Sequence, residues 1–127
     1  MDPPYESSNT ATAFRIMESA INKGHNITVF AYEGATSLTL KHQKGHPNPV
    51  KDTTAAEEKH PLTKDFVTGL FGLAREKGTS FRWVNCGFCV DERGVGEWDE
   101  GPERGGPPQF AEMYKNADQT LIIPTSR

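Results

Sequence analysis

The chain has 127 residues, a formal charge of −3, and 35% hydrophobic and 9% aromatic residues. A single domain of that length buries roughly two thirds of its unfolded surface, enough for a core without metal or disulfide staples, and the composition is too apolar for a disordered chain. Fourteen Lys and Arg against seventeen Asp and Glu leave no positive excess for unspecific nucleic-acid binding, and the longest uncharged apolar run, 27–32, is far too short to span a membrane.

The reading is one domain over 1–127. Residues 1–9 are polar and Pro-containing and read as an irregular leader. They show neither a basic nor an apolar signal region, so the expectation is a soluble cytoplasmic protein. Residues 11–23 place Ala13, Phe14, Met17, Ala20 and Ile21 on one helical stripe, with Asn9 or Thr10 as cap and Gly24 as stop. Ile27-Thr28-Val29-Phe30-Ala31-Tyr32 is β-branched and aromatic with little alternation, which suits a strand covered on both faces. Glu33-Gly34 turns the chain, and 37–40 forms a short edge strand. Residues 41–61, with Gly45, Pro47, Pro49 and Pro61, read as a long loop.

The spacing of Phe66 or Val67, Leu70, Phe71, Leu73 and Ala74 predicts a helix over 63–77, capped by Thr63 and ended by Gly78. A strand follows at 80–85. Residues 94–108 carry five Gly and three Pro and read as a second long loop. A short helix at 109–117 turns Phe110, Met113 and Tyr114 inward, and 119–123 makes a last core strand. Strands alternating with helices predict an α/β fold: a small three-layer sandwich around a mainly parallel sheet of three or four strands.

Cys86 and Cys89 stand as Cys-Gly-Phe-Cys, a spacing that permits a thiol–disulfide pair or half of a zinc site. Zinc wants four ligands, whereas His25, His42, His46 and His60 are scattered through loop-like sequence. A redox motif of the thioredoxin type opens a helix straight after a strand, and Val90-Asp91-Glu92-Arg93-Gly94 is poor helix material. Both cysteines therefore read as small, partly buried structural thiols at a strand end. No metal and no cofactor are expected.

The second half resembles the fungal heterokaryon-incompatibility (HET) domain. The resemblance rests on the helix 62–77, the strand Phe81-Arg82-Trp83-Val84-Asn85, the turn from Cys86 to Glu92 and Trp98 in the following loop. Met113-Tyr114-Lys115-Asn116-Ala117 and Thr120-Leu121-Ile122-Ile123 complete it. It covers about residues 60–124. Asn85 stands where that family usually has Asp, and Asp91 where it usually has Gln. The resemblance implies a TIR-like fold. Some TIR domains cleave NAD with a Glu after the third core strand; here only Pro124-Thr125-Ser126-Arg127 would follow that strand, so a short or truncated member without NADase activity is expected.

In an open α/β sheet, ligands bind beyond the carboxyl ends of the strands. That rule gathers Tyr32 and Glu33 with the segment from Asn85 to Glu92. Glu33, Asp91 and Glu92 are the candidate acid–base residues, because neighbouring carboxylates raise one another's pKa; the alternative is a solvated acidic loop. Asn85, Trp98, Tyr32 and Arg82 are the candidate binding residues: Asn85 as an amide at a strand end, Trp98 as an aromatic lid, and Arg82 toward an anion or merely solvent.

Three functions follow from these expectations. The first, implied by the resemblance, is a module of fungal self/non-self recognition or cell-death signalling. The second is a small stand-alone enzyme performing acid–base chemistry on a metabolite such as a secondary-metabolite precursor. The third is a dimeric protein-interaction domain. The expected partners are a small-molecule ligand or another protein, including a second copy through exposed sheet edges, with neither nucleic acid nor membrane.

Overall fold

The computed structural model describes Met1, residues 8–45, Pro47, residues 49–58 and residues 61–124. Helix α1, Ser8–Asn22, buries Ala13, Phe14, Met17 and Ile21 of the predicted stripe and leaves Ala20 half-buried; Thr10, expected at the cap, lies buried inside the helix. Strand β1, Ile27–Ala31, follows. Helix α3, Thr63–Lys77, buries Val67, Leu70 and Ala74 and stops at Gly78, whose left-handed backbone (φ 72°) a side chain would disfavour. Between β1 and α3 lies a single-turn helix, α2, at Ala55–Glu58, inside the segment read as a loop.

Strand β2, Phe81–Cys86, pairs in parallel with β1, in the register Ile27 with Phe81 through Ala31 with Asn85. Strand β3, Glu103–Gly105, pairs in parallel with the end of β2, Cys86 opposite Gly105. The order among the described residues is β1-β2-β3. Val29, Ala31, Phe81 and Trp83 join the core built with α1 and α3, where Phe71 meets Phe81 edge-on at 4.8 Å. On the opposite face Phe30 meets Phe110 of helix α5, Pro107–Asn116, at 5.2 Å. The fold is thus the expected three-layer α/β arrangement with a small parallel sheet.

Several local expectations are corrected. The edge strand at 37–40 is instead a 3-10 helix, Glu33–Thr39, in which the Thr36 hydroxyl donates to the Glu33 carbonyl at 2.9 Å; such side-chain bonds compete with strand pairing. Thr63 does not cap α3: its hydroxyl donates to the Leu38 carbonyl at 2.9 Å, and the Gln43 side-chain oxygen takes the Lys64 N–H at 3.1 Å. The loop 94–108 contains β3. The last core strand does not form: residues 120–123 have no strand pairing, and Leu121 and Ile122 lie exposed. Both flanks of β2 are already occupied by β1 and β3. Helix α5 covers its face only thinly. None of its residues is buried, and Phe110 and Tyr114, expected to point inward, remain exposed.

Candidate functional site

The parallel register brings the carboxyl ends of all three strands to one edge. Cys86 ends β2 there, between Tyr32-Glu33 beyond β1 and Gly105 of β3. Helix α4, Gly87–Arg93, starts at the very next residue, and Cys86 is its N-cap. The Cys-Gly-Phe-Cys motif therefore does open a helix straight after a strand, against expectation. Tertiary contacts supply what local propensity lacks. Val90 is buried, and Gly94 closes the helix in a left-handed conformation (φ 65°). Asp91 is gripped by Arg104 at 3.0 and 2.6 Å, and Arg93 reaches Glu33 at 3.0 Å.

Both thiols are free and buried, with relative exposures of 3% for Cys86 and 4% for Cys89. The Cys89 sulfur accepts the Glu33 N–H at 3.2 Å. Burial, followed by its hydrogen bond with Cys86, pushes the Cys89 thiol up to about 11, while the Glu33 amide pulls in the opposite direction. Cys89 thus holds its proton at neutral pH. Above the pair, the Arg104 guanidinium lies against Gly87: a Cβ there would sit 2.8 Å from the Arg104 Nε. A larger residue at 87 would displace the Arg104 side chain from its place beside Cys86.

The structure brings Tyr32, Glu33 and Asp91 to this site and sends the other candidates elsewhere. Tyr32 is 56% exposed on the rim, its hydroxyl pKa raised by the charge of Glu33 and then of Cys89. Glu33 adopts a left-handed backbone (φ 54°) beside the sulfurs. Asp91 sits on α4 rather than in a loop. Its carboxyl is held below the usual range by the hydrogen bonds and charge of Arg104, the opposite of the mutual repulsion expected between carboxylates. Glu92 is exposed on the same helix.

Asn85 is fully buried. It accepts the Trp83 indole N–H at 3.0 Å and donates to the Thr39 hydroxyl at 2.9 Å, so it anchors the 3-10 helix from within. Trp98 is half-buried and bridges Leu40, at the opposite end of that helix from Glu33. Arg82 is tied to Glu103 of β3 at 2.6 Å.

Sequence reasoning did not single out Arg93 and Arg104 and did not foresee that the cysteines open a helix. The available signal was the Cys-X-X-Cys spacing directly after an apolar strand, with Gly94 placed as a helix stop. Among the described residues no group of three or more His, Cys, Asp or Glu could hold a metal ion. His25 is exposed, His42 bonds Glu97 at 2.9 Å, and His46 and His60 lie outside the described residues.

A parallel three-layer domain with a cysteine pair at the strand–helix junction defines a small α/β thiol protein. A family model for DsrE/DsrF-like proteins matches residues 1–122, and the chain belongs to that family. The crystal structure of the ychN protein from E. coli is similar in fold. Its TM-score is 0.67 at 18% identity, over 91% of this chain and 87% of that one. No curated protein matches the chain.

These findings overturn the HET resemblance, and with it the TIR-like assignment and the reading as a fungal recognition or cell-death module. The resemblance was carried by pieces common to many α/β domains, an amphipathic helix leading into an aromatic strand. Its closing piece, 120–123, is not the strand it required.

Proposed function

We propose that this protein handles sulfur through Cys86 and Cys89, taking up a sulfane sulfur as a persulfide and releasing it by closing a disulfide. The single observation that carries the reading is the cysteine pair itself. Two interacting thiols sit at a strand–helix junction, at the sheet edge where α/β folds bind ligands, in a chain of the DsrE/DsrF-like family. We assign the attack to Cys86, the residue that ends β2 and caps α4 at the sheet edge. It attacks the outer sulfur of a donor persulfide; the donor S–S bond breaks, the donor leaves as a thiol, and Cys86 carries the persulfide. Cys89 then attacks the Cys86 Sγ. The terminal sulfur departs as hydrogen sulfide, carrying the Cys89 proton, and the Cys86–Cys89 disulfide closes.

Arg104 lies against Gly87, the residue next to Cys86, and puts a cation at that end of the sheet. Phe88, 69% exposed between the two cysteines, and Tyr32 give the donor an apolar contact at the rim. No helix among the described residues is long and apolar enough to cross a membrane, and two free thiols suit a reducing compartment such as the cytoplasm.

The test is to incubate the reduced protein with inorganic polysulfide and map added sulfur by peptide mass spectrometry. One extra sulfur atom on Cys86 is expected, lost in Cys86→Ser and longer-lived in Cys89→Ser. A folded protein in which neither cysteine gains sulfur refutes the proposal.

A further inference from the structure

The backbone at Glu33 is unusual. A non-glycine residue there holds a left-handed conformation, φ 54°, which costs a side-chain-bearing residue free energy and persists only where its surroundings impose it. Two contacts impose it here. The Glu33 N–H points at the Cys89 sulfur, 3.2 Å away, and the Glu33 carboxylate is drawn to Arg93 at 3.0 Å on the last turn of α4. The Thr36 hydroxyl also donates to the Glu33 carbonyl, which fixes the peptide orientation from the other side.

We propose that Glu33 is a positioning residue for Cys89: its left-handed backbone aims an amide N–H at the sulfur, a donor set in advance for the anion that forms when Cys89 gives up its proton to resolve the persulfide. A preset donor aimed where charge develops costs no reorganisation at the moment of reaction. The side chain contributes through its tie to Arg93 rather than by touching the reacting sulfur, and its charge alone opposes ionisation of Cys89. This inference rests on the sulfur-handling reading of the cysteine pair.

The groups around Cys89 are Tyr32 and Glu33 from the β1 side, Cys86 from β2, Asp91 and Arg93 on its own helix, and Arg104 from β3. A useful comparison holds all of these constant and changes only the backbone preference of residue 33. Glu33→Asn and Glu33→Val remove the same charge. Asn tolerates a left-handed backbone, whereas β-branched Val does not.

The assay is the pH dependence of Cys89 alkylation by iodoacetamide in the reduced full chain, read site by site by mass spectrometry, with folding checked by circular dichroism. The Cys89 midpoint is expected to lie lower in Glu33→Asn than in Glu33→Val by about one pH unit, about tenfold in thiolate at a fixed pH below both midpoints. In the unmodified sequence, the residue-33 amide resonance is expected to move as Cys89 ionises. Equal midpoints in two folded variants overturn the proposal. Should the Val variant not fold, an amide resonance that ignores Cys89 ionisation overturns it instead. Alkylation needs no sulfur donor, so the outcomes separate. A clear Asn–Val difference without sulfur uptake removes the sulfur-handling reading alone; sulfur uptake with equal midpoints removes the role of Glu33 alone.

Discussion

Burial of Cys89 makes the stability of the whole domain sensitive to alkaline pH, in a direction fixed by its raised pKa. In the unfolded chain the thiol ionises near its ordinary value of 9.0, and in the folded protein near 11. Below about pH 9 both states carry the proton and the stability associated with Cys89 is intact. As pH rises, the unfolded state loses its proton first and is favoured; stability falls until the folded thiol also ionises near pH 11, and the loss then levels off. A gap of about two pH units corresponds to about 2–3 kcal/mol, a substantial part of the 5–15 kcal/mol typical of a domain. The measurement is urea unfolding under reducing conditions, comparing the protein with Cys89→Ala at several pH values between about 7 and 11. Ionisation of Lys and of tyrosines away from the site weakens both proteins alike, so the stability difference between them reports on Cys89 together with the groups it touches, Tyr32 and Cys86. It should shift by about 2 kcal/mol in favour of the alanine variant over that range. A difference that stays constant with pH refutes the assignment of the raised pKa to Cys89.

Asn85→Ala strands the Trp83 indole N–H and the Thr39 hydroxyl in the core and is expected to cost about 2–4 kcal/mol in chemical denaturation. Gly105→Ala places a Cβ 2.5 Å from the Val84 Cγ1, so overpacking of about 1–3 kcal/mol is expected. Gly72→Ala, inside α3 where a Cβ meets nothing within 4 Å, should by contrast raise stability by about 0.5–1 kcal/mol.

Much of the fold is legible where one residue's periodicity decides its element. The stripe through Phe14, Met17 and Ile21 gives α1, that through Val67, Leu70 and Ala74 gives α3, and the β-branched and aromatic runs give β1 and β2. Legibility ends where an element is defined by its neighbour. Glu103-Arg104-Gly105 has no apolar pattern and becomes β3 because it meets Val84, Asn85 and Cys86, helped by the Arg82–Glu103 ion pair. Conversely, Thr120-Leu121-Ile122-Ile123 has strand-like composition and no strand beside it. The 3-10 helix hides in the same way, because Ser37-Leu38-Thr39-Leu40 alternates like a strand while its threonines satisfy the backbone locally.

The site follows the same division. That Tyr32, Glu33 and the segment after Asn85 share one edge follows from parallel topology alone. The chemistry of the cysteines does not, because it depends on whether Val90 to Arg93 is helical, and their local propensity argues against it. Burial of Val90 holds the segment in place, and remote residues flank it: Arg104 grips Asp91 from β3 and Glu33 takes Arg93 from the 3-10 helix. These half-exposed pairs contribute little to stability, but they fix α4 on both sides of the sulfurs. The same contacts create the balance the thiols need. Burial keeps Cys89 protonated in the resting protein, while the Glu33 amide stands within reach of the charge that the proposed sulfur transfer would develop there. A thiol pair with burial alone would be inert, and one with the donors but no burial would oxidise freely. Both conditions are met only because residues 33, 91, 93 and 104, dispersed in the sequence, are joined at one end of a three-stranded sheet.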